Sequence, residues 1–123
     1  MSPLDQTDWE ILDATADDWE NLEQIYLAVC FEVVDLRSDT PPRTDLLLRR
    51  ARPEILLREI ADRTRGLVER GLLTAINEDD GRPVTDRGDP SYVWKAWFRM
   101  TPEGKRLWEA SDYATSVERE QPQ

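Results

Sequence analysis

Histidine is absent from this sequence of 123 residues, and cysteine occurs once, as Cys30. Without an imidazole the chain cannot build a Ser-His-Asp or Cys-His catalytic site, or a zinc site with histidine ligands, because these need a base that titrates near neutral pH or a nitrogen ligand. A single thiol also excludes an intrachain disulfide and a cysteine metal cluster. We therefore predict a protein with no enzyme activity, no cofactor and no metal.

Long apolar runs are also missing. None approaches the ~20 residues that cross a bilayer, and the first five residues lack the basic-then-apolar order of a signal peptide. We therefore expect a cytoplasmic protein that does not act at a membrane. Hydrophobic residues make up 39% of the chain and five are Trp, which favours one globular domain over residues 1–123.

Acidic residues outnumber basic ones by 26 to 16, which gives a net charge of −10. The imbalance is uneven. Residues 1–36 hold ten acids and no base, residues 37–70 hold nine Arg and six acids, and residues 71–123 hold ten acids and seven bases. Because charge is screened beyond about 8 to 10 Å, the positive central segment could bind a polyanion despite the total charge.

Two patterns predict N-terminal helices. Thr7 and Glu10 form a capping box for a helix over residues 8–15, and Asp17 to Glu20 repeat the pattern for a helix from about 18 to 36. In the second helix, apolar residues recur at spacings of three and four and so share one face. They are Leu22, Ile25, Tyr26, Val29, Cys30, Val33 and Leu36.

Prolines 41 and 42 predict a loop over residues 37–44, since proline ends a helix. Thr44 could cap a short helix through residues 46–48. Pro53 suits the first position of a helix over residues 53–70, and Gly71 suits its C-terminal end.

Alternating apolar residues predict two strands, over residues 72–76 and 92–100, joined by a long connection rich in Gly and Pro. One face of the second strand would hold Tyr92, Trp94, Ala96, Phe98 and Met100. After it, Thr101 suits the cap of a last helix and Pro102 its first turn.

The segment from Leu67 to Leu73 has the pattern Leu-x-x-x-Gly-Leu-Leu, and the second strand runs into Thr101-Pro102-Glu103-Gly104. In these two motifs the sequence resembles winged helix-turn-helix domains of bacterial and archaeal transcription regulators of the MarR and PadR type, over about residues 53–110. The resemblance implies a mainly α (α+β) fold, with a three-helix core, a two-stranded antiparallel wing and a C-terminal helix. The expected segments are N-terminal helices over 8–36, a recognition helix over 53–71, a wing over 72–100, a C-terminal helix over 102–113 and a tail over 118–123. Whether helix 8–15 or helix 18–36 is the first of the core stays open.

The resemblance implies a small DNA-binding regulator whose recognition helix faces the major groove of duplex DNA. The candidate DNA-binding residues are Arg49, Arg50, Arg52, Arg58, Arg82, Arg87 and Lys95. Among them Arg49, Arg50 and Arg52 have the fewest acidic neighbours in sequence, so we expect them to be the most available.

Two features oppose DNA binding. The connection over residues 77–91 holds five acids and two arginines, and on helix 53–70 an acid lies four residues from Arg58, Arg63 and Arg65. The alternative hypothesis is a protein-interaction module on the same scaffold, which docks on a basic partner through its acidic surface. The acidic pairs 17–18 and 79–80 could hold a hard cation, but a helix cap and a turn explain them better.

Regulators of this type dimerise so that two recognition helices reach successive grooves about 34 Å apart. We predict a homodimer through the N-terminal helices, where Trp19, Phe31 and Val34 lie partly off the core-facing side. Light scattering at high micromolar concentration should give twice the mass of the chain. A monomeric mass would contradict the prediction.

Overall fold

The computed structural model describes residues 4–35, 46–85 and 88–111. Across these ranges the fold is mixed α/β, with helices and two small antiparallel sheets. In chain order the elements are α1 (Gln6–Ala14), β1 (Glu20–Asn21), α2 (Leu22–Cys30), β2 (Phe31–Asp35), β3 (Leu46–Arg50), α3 (Leu57–Glu69), β4 (Leu73–Asn77), a 3-10 helix (Pro90–Lys95), β5 (Ala96–Met100) and α4 (Pro102–Glu109). No helix in the described ranges has both the length and the apolar character to cross a membrane.

Both N-terminal helices begin with a capping box, but at other residues than predicted. The Asp5 carboxylate accepts the Asp8 backbone N–H at 3.0 Å, and the Asp8 side chain accepts the Asp5 N–H in return. Asn21 and Gln24 repeat this arrangement at α2. The boxes predicted from Thr7 and from Asp17 were wrong, because Asp and Asn cap a helix at least as well as Thr and their neighbours three residues on complete the pair.

The helix predicted over residues 18–36 ends at Cys30, where the chain turns into β2. Strand β2 pairs with β3, with Val33 opposite Leu48. The short helix predicted over residues 46–48 was therefore also wrong. Val33 and Val34 are β-branched residues that favour a strand, and a short apolar run does not distinguish the two structures by its spacing. The loop predicted over residues 37–44 lies outside the described residues.

The three-stranded sheet has the order β1-β5-β4, all antiparallel. Leu73 lies opposite Met100 and Ala75 opposite Phe98, and all four are buried on the face toward the helices. The strand predicted over residues 72–76 is confirmed within one residue. The strand predicted over residues 92–100 was wrong in its first part, since residues 90–95 form the 3-10 helix. Pro90 fixes a helical backbone angle there, and the Asp89 side chain caps the turn by accepting the Ser91 N–H at 2.9 Å.

The hydrophobic core lies between the sheet and helices α1, α2 and α3. Its fully buried side chains include Ile11, Ile25, Ile60, Leu67 and Phe98. The spacing of Leu56, Ile60, Leu67 and Val68 predicts a core face for this helix. The last three are buried, but Leu56 is 59% exposed because α3 begins at residue 57 and not at residue 53. Pro53 lies in the turn before it, where the Ile55 N–H donates to the Arg52 carbonyl at 3.2 Å.

At one end of the sheet, Gly71 before β4 and Thr101 after β5 are hydrogen-bonded to each other. Gly71 has φ +76°, in the left-handed region that favours glycine, and its position after α3 is confirmed. The Thr101 hydroxyl donates to the Gly71 carbonyl at 2.7 Å and accepts the Gly104 N–H at 3.0 Å. The cap predicted for the last helix is thus confirmed. Helix α4 ends at Glu109, short of residue 113, and the predicted tail lies outside the described residues.

Two glycines in helices should respond oppositely to alanine. A Cβ at Gly104 would lie 2.3 Å from the Leu72 carbonyl oxygen, whereas a Cβ at Gly66 would meet no atom within 4 Å. We expect Gly104→Ala to lower the free energy of unfolding by about 1 to 3 kcal/mol through overpacking. Gly66→Ala should raise it by about 0.5 to 1 kcal/mol through helix propensity. Urea unfolding of both variants measures the difference, and a tolerated Gly104→Ala would contradict the close approach.

Candidate nucleic-acid interface

The arginines before α3 are engaged within the protein. Arg52 binds the Glu10 carboxylate through both terminal nitrogens, with Nη1 at 2.5 Å from Oε2. Arg49 pairs with Glu32 across the β2-β3 ladder. Arg50 Nη2 donates to the Ile55 carbonyl at 3.3 Å. Our expectation that Arg49 and Arg52 are available was therefore wrong, because each pairs with an acid distant in sequence, whereas Arg50 has no ion-pair partner among the described residues.

Arg63 fastens α3 to the start of α1. Its Nη1 lies 2.7 Å from both carboxylate oxygens of Asp5 and 3.2 Å from Asp8, and its Nη2 lies 3.6 Å from Glu59. Burial alone would raise the pKa of Asp5, but the Asp8 backbone N–H and the Arg63 guanidinium outweigh it and hold that pKa below its usual value. Of the three pairs expected four residues apart on the helix, Glu59 with Arg63 is formed.

The two remaining α3 arginines have a different environment. Arg58 is exposed and Arg65 is half-buried. Neither has an ion-pair partner among residues 4–35, 46–85 and 88–111. Both line a groove of about 340 Å³ between α3 and the 3-10 helix, which also includes Asp62, Asp89 and Trp94.

Trp94 lines this groove, and the strand pattern in the sequence predicted the wrong face for its side chain. Strand alternation put it on the same face as buried Phe98, yet its side chain is 53% exposed. The 3-10 helix interrupts the alternation of a strand. The position of Trp94 an even number of residues before Phe98 therefore no longer predicts that the two side chains lie on the same face. The Pro90 that follows Asp89 was the available indication of a helical turn.

The candidate DNA-binding residues after β4 lie on a surface that carries both acidic and basic side chains. Arg82 is exposed in the connection to the 3-10 helix, beside the exposed acids Glu78, Asp79 and Asp80. Its backbone N–H donates to the Asp80 carboxylate at 2.9 Å. Lys95 is exposed at the end of the 3-10 helix. Arg87 lies outside the described residues.

The chain matches no protein-family model, no curated protein and no solved structure.

In the described ranges, no three Cys, Asp or Glu side chains group in a way that could hold a metal ion. The acidic pairs 17–18 and 79–80 are exposed.

Removing the Arg52 guanidinium should destabilise the fold more than removing that of Arg49. The Glu10 side chain is 12% exposed, so Arg52→Ala leaves a largely covered carboxylate without its partner, at a cost of about 1 to 3 kcal/mol. The Arg49–Glu32 pair is well exposed, so Arg49→Ala should cost under about 1 kcal/mol. Urea unfolding measures both losses. Equal losses would contradict a structural role for the Arg52–Glu10 pair.

Proposed function

We propose that this chain is a winged-helix protein that binds duplex DNA through α3, as a small transcription regulator. The scaffold is supported by the order of elements, in which α1, α2 and α3 pack together before the antiparallel strands β4 and β5, and α4 follows. In a winged helix, the last helix before the hairpin is the recognition helix. The β2-β3 pair between α2 and α3 departs from this pattern, since a helix-turn-helix has a short turn there.

The observation that carries the DNA proposal is the pair Arg58 and Arg65 on α3. They are seven residues apart, so they lie two turns apart along one side of the helix. Neither is held by an acid of the described chain. Guanidinium groups in this position could contact phosphates or guanine edges. Lys95 and Arg82, on the segments after α3, would contact the backbone.

Acidic side chains on the same surface lower the expected affinity for DNA. Asp62 and Glu69 are exposed on α3, and Glu78, Asp79 and Asp80 are exposed after β4. These carboxylates repel phosphates at short range. Arg49 and Arg52, whose charges are already paired, contribute little. We therefore propose binding in the range of non-specific complexes, roughly 10⁻⁶ to 10⁻⁴ M for one chain, with tighter binding only if two chains act together.

A salt titration tests this proposal. Fluorescence anisotropy with a random duplex should show an affinity that falls steeply with salt, with a log-log slope of about 0.9 per neutralised phosphate. The double variant Arg58→Ala/Arg65→Ala should reduce that slope by about two.

The matched control is Arg106→Ala, which removes one exposed charge on α4. It should leave the slope within error of the unmodified chain. Undetectable binding at low salt would overturn the DNA proposal. A control that lowers the slope as much per charge as the double variant would do the same.

A second candidate function is docking of a basic protein. It is favoured by the exposed apolar side chains Trp94 and Leu56, at 53% and 59%, beside the acids of α3. Tryptophan often carries much of the binding energy of a protein interface. This function predicts that Trp94→Ser removes partner binding and that high salt weakens it only moderately. The same variant should leave duplex binding within about twofold, because stacking on Trp94 has no part in phosphate contacts.

A further inference from the structure

A second groove lies on the outer face of the three-stranded sheet, at the start of α4. Its volume is about 610 Å³, within the usual range of small-molecule sites. The residues that line it come from the α1–β1 connection, β4, β5, Thr101 and α4, although the Met100 side chain itself is buried on the core face of the sheet. They are Ala16, Trp19, Thr74, Arg99, Met100, Thr101, Pro102 and Lys105.

Positive charge is concentrated in this groove without compensation. Arg99 and Lys105 both line it, and neither forms an ion pair with any residue that the structure describes. No carboxylate is among the lining side chains. In a chain of net charge −10, in which Arg49, Arg52 and Arg63 are paired with acids, two unpaired cations in one groove form an anion-binding arrangement.

The strand register fixes the rest of the groove. Arg99 lies directly opposite Thr74, and both side chains leave the sheet on the face away from the core. Trp19 immediately precedes β1, and its half-buried indole forms one wall. The Asp18 carboxylate accepts the Trp19 backbone N–H at 2.8 Å, which holds this residue in place. The groove thus combines a flat aromatic surface, a hydroxyl and two cations.

We propose that this groove binds a nucleotide, with its phosphate at Arg99 and Lys105 and its base stacked on Trp19. A phosphate monoester carries up to two negative charges, which matches two cations. An indole stacks on a planar base of any type. The Thr74 hydroxyl could bond to the phosphate or the sugar. This proposal is independent of DNA binding through α3.

The surrounding acids favour one nucleotide over a nucleic-acid strand. Asp17, Asp18 and Glu20 flank Trp19 in sequence, outside the lining of the groove. Burial, then the nearby Asp18 charge, raises the pKa of Glu20 above its usual value, which indicates that these two carboxylates lie close together. A chain of phosphates passing Trp19 would meet these carboxylates, whereas a single phosphate between Arg99 and Lys105 would not.

Calorimetric titration of the full chain with adenosine monophosphate tests the assignment. Adenosine lacks the phosphate that the two cations bind, and inorganic phosphate lacks the base that stacks, so each should bind about tenfold more weakly than the nucleotide or worse. The indole N–H resonance assigned through Trp19→Phe should shift on addition of the nucleotide. The other Trp resonances should move less.

The variant Arg99→Gln/Lys105→Gln should lower nucleotide affinity at least about tenfold. Arg106→Gln, next to Lys105 but outside the groove, is the matched control and should stay within about twofold. Arg58→Ala/Arg65→Ala should leave nucleotide affinity unchanged, which separates this test from the DNA test. Absence of nucleotide binding, equal affinity for phosphate alone, or equal loss in the Arg106 control would overturn the proposal. Circular dichroism checks that each variant is folded.

Discussion

The ion pairs between α1 and the arginine-rich segment constrain the rest of this structure. Glu10 binds Arg52, and Asp5 and Asp8 bind Arg63, so the acidic first helix is fastened to the turn before α3 and to α3 itself. Each contact neutralises one arginine of the net-positive central segment, residues 37–70. The same interactions that hold the N-terminal helix against the core therefore decide which cations are left for a ligand.

Four cations that have no ion-pair partner among the described residues lie in pairs at two different grooves. Arg58 and Arg65 face the groove beside the 3-10 helix, and Arg99 and Lys105 face the groove on the outer side of the sheet. Carboxylates share the first groove, where Asp62 and Asp89 are among the lining residues, but not the second. A long polyanion and a small anion thus meet different electrostatic conditions on the same chain, which is why the two proposals involve separate surfaces.

Local chemistry predicted some of the turns and caps that depend on neighbours in sequence, but not the capping boxes of α1 and α2. Gly71 after α3 and the Thr101 cap of α4 follow from the conformational freedom of glycine and from a hydroxyl that satisfies a helix N–H. The end of α2 at Cys30 was missed because Val33 continues the helical spacing, although Val33 and Val34 also favour a strand, and pairing with β3 decides between them. The exposure of Trp94 was missed for a related reason. Side chains alternate between two faces only within a strand, and Trp94 lies in the 3-10 helix.

The candidate sites were the least predictable, because their charges depend on contacts between residues distant in sequence. Glu10 and Arg52 are 42 residues apart, and Asp5 and Arg63 are 58 apart. Along the chain Arg52 has few acidic neighbours and Arg58 has Glu54 four residues before it, but in the fold Arg52 is paired, and Arg58 has no ion-pair partner in the part of the chain that the structure describes. Net charge per segment missed Arg99 and Lys105, which lie in the net-negative segment 71–123, and indicated only the central arginines. Which of them can bind a ligand is determined by packing of α1 on α3, and that packing is specified by buried side chains such as Ile11, Leu12 and Ile60.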